Sequence, residues 1–131
     1  MKTLQIKSRK QVEMIDITRD VCNAVQMHDV TDGQAVVFTP HTTAAITINE
    51  NADPDVCRDM TMEINQIVPM EDGYRHLEGN SAAHIKSSLF GASGTLIINN
   101  GTPVLGTWQG IYFCEFDGPR QRHVHIQTVG A

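Results

Sequence analysis

The sequence predicts an α+β fold: one compact sandwich of mainly antiparallel sheet with two or three helices. Three observations carry that reading. β-favouring segments crowd both ends of the 131-residue chain, helical stripes lie between them, and turn sequences punctuate the C-terminal third. The length fits a single domain, 1–131, and excludes a TIM barrel, which needs roughly 250 residues.

Residues 3–7 and 11–17 alternate enough to be strands that could pair, with Leu4 and Ile6 on one face. Thr18 can cap a helix over 19–29 whose stripe holds Val21, Ala24, Val25 and His28. Asp32-Gly33 turns the chain into a buried strand, Ala35 to Thr39. Pro40-His41 breaks that strand, and Ala45 to Ile48 favours β again.

Asp53-Pro54 starts a second helix, since the carboxylate can accept from free first-turn amides and proline fits the first turn. Its stripe is Val56, Met60, Ile64 and Ile67, and Pro69 with Asp72-Gly73 closes it. Ser81 can cap a shorter helix that buries Ala82, Ile85 and Leu89 and stops at Gly91. Thr95–Ile98 and Val104–Leu105 then flank the Asn99-Asn100-Gly101 turn. Ile111–Phe116 and Arg122–Thr128 flank Asp117-Gly118-Pro119 and are predicted to pair, with Glu115 opposite His123.

Composition narrows the function. The formal charge of −5 and seven aromatic residues argue against nucleic-acid binding, which needs a basic surface and stacking platforms. No apolar run approaches the roughly 20 residues of a membrane span, and the N-terminus lacks a signal-peptide stretch. Three isolated cysteines, Cys22, Cys57 and Cys114, with no CxxC, fit thiols of a reducing cytoplasm.

Six histidines are many for this length. His41 follows a buried strand, where a rigid scaffold delivers side chains to a surface site. His76 and Glu78 lie in a loop, and His84 in the first turn of the short helix. Three histidines from separate elements could hold a divalent metal, zinc or magnesium, with an open position; each also has an ordinary reading as a turn or surface residue. Asn80, Ser81 and Lys86 lie where a helix start could receive a phosphate, though Ser81 also reads as a cap. Glu115, Asp117, Arg120 and Arg122 could make either an ion-pair network or a metal–phosphate site. His123 and His125 read as solvent-side sheet residues. No GxSxG elbow supports a serine nucleophile, and Cys57 sits on an apolar stripe.

Four blocks in order carry a wider likeness: HTTAAITINENADPDV (His41–Val56), HLEGNSAAHIKSSLFG (His76–Gly91), LGTWQGIYFCEFDGPR (Leu105–Arg120) and then Arg122. Together they resemble the YjbQ family, whose members are described as secondary thiamine-phosphate synthase enzymes. The resemblance implies a homotrimer with a polar cleft. Carried over by position, the cleft draws His41, Thr42, Asn49 and Glu50 from the first block. The second supplies His76, Glu78, Asn80, Ser81, His84 and Lys86, and the rest gives Gln109, Glu115, Asp117, Arg120 and Arg122. Ala82 stands where the family often has Asp, and Phe90 where it often has Leu, so a carboxylate is missing from the pattern.

The implied reaction joins a hydroxymethylpyrimidine diphosphate to a thiazole phosphate and expels pyrophosphate. A divalent ion with Arg120, Arg122 or Lys86 would neutralise the leaving group. In that scheme His41, His76, Glu78, His84 and Glu115 are the catalytic candidates, and Thr42, Asn80, Ser81, Lys86, Gln109, Asp117, Arg120 and Arg122 the substrate-binding ones. A metal-dependent hydrolase using Glu78 or Glu115 as base, and a ligand-binding protein without turnover, are the alternatives.

Overall fold

The computed structural model describes residues 1–131. Eight strands and three helices run in the order β1 (Lys2–Lys7), β2 (Glu13–Asp16), α1 (Thr18–Met27), β3 (Gly33–Phe38), β4 (Ala44–Glu50), α2 (Pro54–Ile67), α3 (Ser81–Phe90), β5 (Ser93–Asn99), β6 (Thr102–Pro103), β7 (Gln109–Glu115) and β8 (Gln121–Gly130). They make a five-stranded sheet, β1-β8-β3-β5-β6, and a three-stranded sheet, β2-β7-β4. Every pairing is antiparallel. The predicted α+β class holds.

One core fills the space between the sheets. Ile6, Val37, Leu96, Val124 and Ile126 from the larger sheet meet Ala44, Ile46, Ile111 and Phe113 from the smaller, and α1 adds Val21, Ala24 and Val25. A second cluster lies on the other face of the smaller sheet, where Ala83 of α3 packs on Ala45, Tyr112, Cys114 and Phe116. The smaller sheet is thus covered on both faces. That explains why β7 is buried without alternation from Gly110 to Glu115.

Two pairing expectations are corrected. β1 and β2 do not pair with each other but join different sheets. β7 and β8 do not form a hairpin either: β7 lies between β2 and β4, β8 between β1 and β3. Residues Phe116–Arg120 therefore carry the chain from one sheet to the other. Glu115 faces Ala44 and Glu13 in its own sheet, and His123 pairs with Gln5 in the other.

Local signals fared better. Asp53 caps α2, its carboxylate accepting from the Asp55 amide at 2.9 Å with Pro54 in the first turn. Asn100 and Gly101 both take positive φ and join β5 to β6 through a two-residue loop. Gly91 ends α3 at φ +96°. Thr18 and Ser81 do not cap: each is the first residue of its helix, and neither α1 nor α3 has a side-chain cap. Helix α3 buries Ala82, Ala83, Lys86 and Ser87, whereas the expected Ile85 and Leu89 are exposed. The reason is space. α3 lies against Ala44 and Ala45, and the Ser87 hydroxyl donates to the Ala44 carbonyl at 2.6 Å, so small side chains face the sheet there, while Lys86 is buried toward Asn65.

No helix is long and apolar enough to cross a membrane. The three cysteines are free thiols, and burial pushes the Cys114 thiol up to about 12.

Candidate functional site

Strand ends and the inter-sheet crossing converge on one polar cavity of about 390 Å³. The segment between β3 and β4 supplies Pro40, His41, Thr42 and Thr43. The segment before α3 and its first turn supply His76, Glu78, Asn80 and His84. The crossing supplies Asp117 and Arg120, and the start of β8 gives Arg122. No hydrophobic residue lines the cavity.

Arg122 in its wall belongs to a buried ion pair. The carboxylate of Glu115 accepts from both Nε and Nη2 of Arg122, from the Ser8 hydroxyl at 2.6 Å and from the Asp117 amide at 3.1 Å. Burial alone would raise the Glu115 pKa. The bonds from Arg122, Ser8 and the Asp117 amide, with the Arg122 charge, outweigh it and hold the carboxyl below its usual range. A carboxylate so engaged has little basicity, so Glu115 anchors rather than acts as a base.

Arg122 also donates from Nη2 to the Thr43 hydroxyl at 2.8 Å and to the Thr43 carbonyl at 3.2 Å. Its Nη1 bonds nothing in the protein, although Arg122 lines the cavity and is only 3% exposed. The guanidinium is therefore fixed on one side and has a free donor end. Ser8 locks the crossing from behind: its amide donates to the Arg120 carbonyl at 3.1 Å, and the Arg120 amide donates to its hydroxyl at 2.9 Å. A Cβ on Gly118 would meet the Lys10 carbonyl oxygen at 2.3 Å, so the crossing admits only glycine there.

Arg120 differs. Half of its side chain is exposed, and its Nε and Nη2 clasp Asp117 at 2.8 and 3.0 Å. The same Asp117 oxygen accepts from Asn80 Nδ2 at 2.9 Å, which ties the start of α3 to the crossing. Because a carboxylate only accepts, this bond fixes the Asn80 amide orientation and leaves its Oδ1 buried without a partner.

His41 is oriented by the backbone. The His123 amide points at its Nε2, 2.9 Å away. An amide can only donate, so Nε2 is unprotonated and the neutral ring carries its proton on Nδ1. Burial first, then the Arg122, His123 and Arg120 charges, lower the His41 pKa below the usual 6.5, against a smaller opposing pull from Glu115. His41 thus keeps a neutral N–H, which can donate to an anion. The imidazoles of His76 and His84 meet edge to face with centroids 5.4 Å apart.

The cavity gathers most of the residues the sequence singled out: His41, Thr42, His76, Glu78, Asn80, His84, Asp117, Arg120 and Arg122. Glu115 stands behind Arg122 rather than in the cavity wall. Ser81 lines the adjoining cavity. Lys86 lines neither; it is fully buried, donates to Asn65 Oδ1 at 2.5 Å and lies 5.9 Å from the Phe116 ring centroid. Burial lowers its pKa. Gln109 is at the far end of β7, six residues from Glu115, about 20 Å along an extended strand. Its side chain closes the preceding loop onto the Gly106 amide. Asn49 and Glu50 pair beside it at that same end. Ser8 and Thr43, both buried and both in the Arg122 network, escaped the sequence reading. Ser8 sits in LQIKSRK with no local signal; Thr43 lay next to the residue chosen.

The expected metal centre is not there. His41, His76 and His84 line one cavity, yet no three His, Cys, Asp or Glu side chains are disposed to hold a metal ion. The backbone amide of His123 already occupies the Nε2 of His41. The donor set does not fit zinc or magnesium, and no step is derived through one.

Known proteins place this architecture. The family model described as UPF0047 protein YjbQ-like matches residues 2–131. The chain belongs to the YjbQ family. The UPF0047 protein YugU of Bacillus subtilis is 57% identical over 131 residues, covering 99% of both chains. A UPF0047 protein of Methanocaldococcus jannaschii is 53% identical over 96% of this chain and 91% of its own. A crystal structure of an uncharacterized conserved YjbQ/UPF0047 protein from Clostridium acetobutylicum superposes with a TM-score of 0.97 at 53% identity, covering 98% of this chain and all of that one. A protein of unknown function from Sulfolobus solfataricus superposes at 0.96 with 29% identity, covering 99% and 96%. These YjbQ relatives carry no activity in their descriptions. That corrects the expectation that relatives are described as thiamine-phosphate synthases, as the disposition of the side chains corrects the expectation of a metal-binding protein.

Proposed function

We propose that the cavity binds the phosphate or diphosphate of a small organic molecule and promotes departure of that group. The single observation behind this reading is Arg122, a buried cation that lines the cavity with Nε and Nη2 engaged by Glu115 and Thr43 and Nη1 without a partner in the protein. Arg120 and the neutral Nδ1–H of His41 add donors to the same cavity. In the reaction the bond between the organic carbon and the phosphate oxygen breaks, its electron pair leaves on oxygen, and the carbon bonds to a nucleophilic atom of the second substrate, the thiazole nitrogen in thiamine-phosphate formation. Donors already fixed around that oxygen stabilise the growing charge without reorganising. No strong base is demanded. Thiamine-phosphate formation, which the sequence resemblance implied, belongs to this class and supplies the first assay.

Purified protein given a hydroxymethylpyrimidine diphosphate and a thiazole phosphate is expected to release pyrophosphate only when both are present. Pyrophosphate that binds without any turnover of phosphorylated compounds would favour a ligand-binding role. No binding of phosphate or pyrophosphate would reject the reading.

The proposal includes a homotrimer. The outer face of the five-stranded sheet leaves Val36, Phe38, Ile97 and Val129 exposed, with Ile97 and Val129 flanking Gln34 in one row. Contact between subunits would cover them. Sedimentation as a monomer at micromolar concentration would reject this part.

A further inference from the structure

We infer that the cavity also transfers the phosphoryl group itself: His84 attacks the phosphorus of a bound phosphate monoester, and His76 moves the protons. The inference rests on the phosphate reading above and adds a hydrolytic activity. In it the ester breaks between phosphorus and oxygen rather than between carbon and oxygen.

The nucleophile follows from which side chains of the cavity are already engaged. His41 carries its proton on Nδ1 and accepts from the His123 amide at Nε2, so neither nitrogen has a free lone pair. The Thr43 hydroxyl accepts from Arg122, and the Asp117 carboxylate is clasped by Arg120 and Asn80. Thr42 is exposed, with no base bonded to its hydroxyl. His76 and His84 remain. Both line the cavity, and their ring nitrogens bond no group of the protein. An imidazole nitrogen with a free lone pair is a nucleophile in its own right.

Of the two, His84 is the fixed one. It is half-buried in the first turn of α3, its amide bonds the Asn80 carbonyl at 3.3 Å, and Asn80 is itself tied to Asp117. Fixed placement is what an attacking atom gains most from. His76 sits on the exposed segment before α3, where it can follow a proton from one oxygen to another. The ring centroids are 5.4 Å apart at 82°, so an oxygen held against one imidazole is within reach of the other.

The charges fit the same step. In phosphoryl transfer the charge spreads over three equatorial oxygens. The cavity offers three donors without a partner in the protein: Nη1 of Arg122, Nη1 of Arg120 and the Nδ1–H of His41. In the first step the His84 lone pair forms an N–P bond and the P–O ester bond breaks. Its electron pair leaves on the alcohol oxygen, which takes the proton of the His76 imidazolium. In the second step water attacks the same phosphorus and gives a proton to the now neutral His76, and the N–P electron pair returns to His84. Alcohol and inorganic phosphate are the products, and both imidazoles are restored.

Allyl phosphate, whose carbon–oxygen and phosphorus–oxygen bonds are both open to cleavage, tests this when incubated with the full chain in ¹⁸O-labelled water. The label should enter inorganic phosphate. Quenching in alkali during turnover should trap a phosphoryl group that is stable to base and labile to acid, located on His84 by peptide mass analysis. His84→Gln should abolish both the adduct and turnover. His76→Gln should slow turnover of allyl phosphate about a hundredfold. The burst of nitrophenolate from para-nitrophenyl phosphate should suffer far less in that variant, because this leaving group needs no proton. Label in allyl alcohol would place the cleavage at carbon and overturn the inference while leaving the phosphate-departure reading standing. Label in phosphate without an adduct, an adduct on another residue, or phosphate binding without turnover would overturn it as well. Failure of both allyl phosphate and inorganic phosphate to bind would overturn both readings.

Discussion

The polar cavity has two walls built in different ways. The wall from Thr43 and Arg122, backed by Glu115, is buried, and the side-chain bonds of Arg122 and of Ser8 to Glu115 join residues distant in sequence or in different sheets. The facing wall, residues 74–80, is exposed at His76, Leu77 and Glu78 and is tied back mainly by Tyr74 to Pro69 and by Asn80 to Asp117. The first wall presents charge that costs nothing further to organise when an anion arrives. The second carries the His76 imidazole on a segment with few buried contacts, the kind of segment that adjusts to a ligand. Two arginines two residues apart repeat the contrast: Arg122 is fixed inside, and Arg120 clasps Asp117 at the surface.

The sharpest break in that contrast is Glu115→Gln. It leaves the Arg122 cation buried without a counter-charge and should cost about 3–5 kcal/mol of stability in urea unfolding. A loss below 1 kcal/mol would mean that Arg122 is solvated and the rigid wall is not rigid.

Next in size is Arg122→Lys, which keeps the charge but loses the fork that bonds Glu115, Thr43 and a ligand together. Pyrophosphate affinity should fall tenfold or more. Arg120→Lys should lose only a few-fold in affinity and less than about 1 kcal/mol in stability, because half of the Arg120 side chain lies in solvent. Equal effects of the two would erase the distinction between them.

Acid should act on the rigid wall in two stages. The His41 pKa in the folded protein lies below its ordinary 6.5, so the unfolded chain takes up that proton first and stability declines as pH falls through 6.5. The Glu115 pKa is also lowered, below its ordinary 4.5, so its contribution is complete above 4.5 and is lost as pH falls through the folded value. Urea midpoints measured from pH 7 to pH 3 should fall throughout. His41→Gln, whose side-chain oxygen can accept from the His123 amide, should remove the upper stage only. An unchanged upper stage in that variant would assign it to another histidine.

The smallest effect belongs to Lys86→Met. The variant removes a buried charge, which often proves neutral or stabilising when the replacement packs well. Pyrophosphate affinity, measured by calorimetric titration, should stay within twofold. A tenfold loss would return Lys86 to the binding site.

Much of this was legible in the sequence, and the failures have physical causes. His41, His76, Glu78, His84, Asp117, Arg120 and Arg122 could be chosen because polar side chains at strand ends and loops are what a scaffold presents. Glu115 stood out as a carboxylate in an apolar strand, but its role depended on Ser8, 107 residues away, which no local pattern reveals. The Asp117-Gly118-Pro119 turn looks like a hairpin. The unbroken apolar run Ile111–Cys114 was the better signal, since it marks a strand covered on both faces. Lys86 misled because charged residues are almost never fully buried without a charged partner. The rotation of α3 followed from Ala44 and Ala45 beneath it, a tertiary fit that the helical period of Ile85 and Leu89 could not show.

The central claim is that a buried guanidinium and a neutral imidazole N–H receive the phosphate together. A titration of pyrophosphate into the parent protein with ¹⁵N-labelled arginine and histidine, followed by NMR at pH 7, tests it most directly. Free His41 should show an unprotonated Nε2 and a protonated Nδ1. The His41 Nδ1–H and the Arg122 side-chain signals should then move together and saturate at one ligand per chain. A protonated Nε2 in the free protein, or saturation that leaves both residues unmoved, would contradict the account.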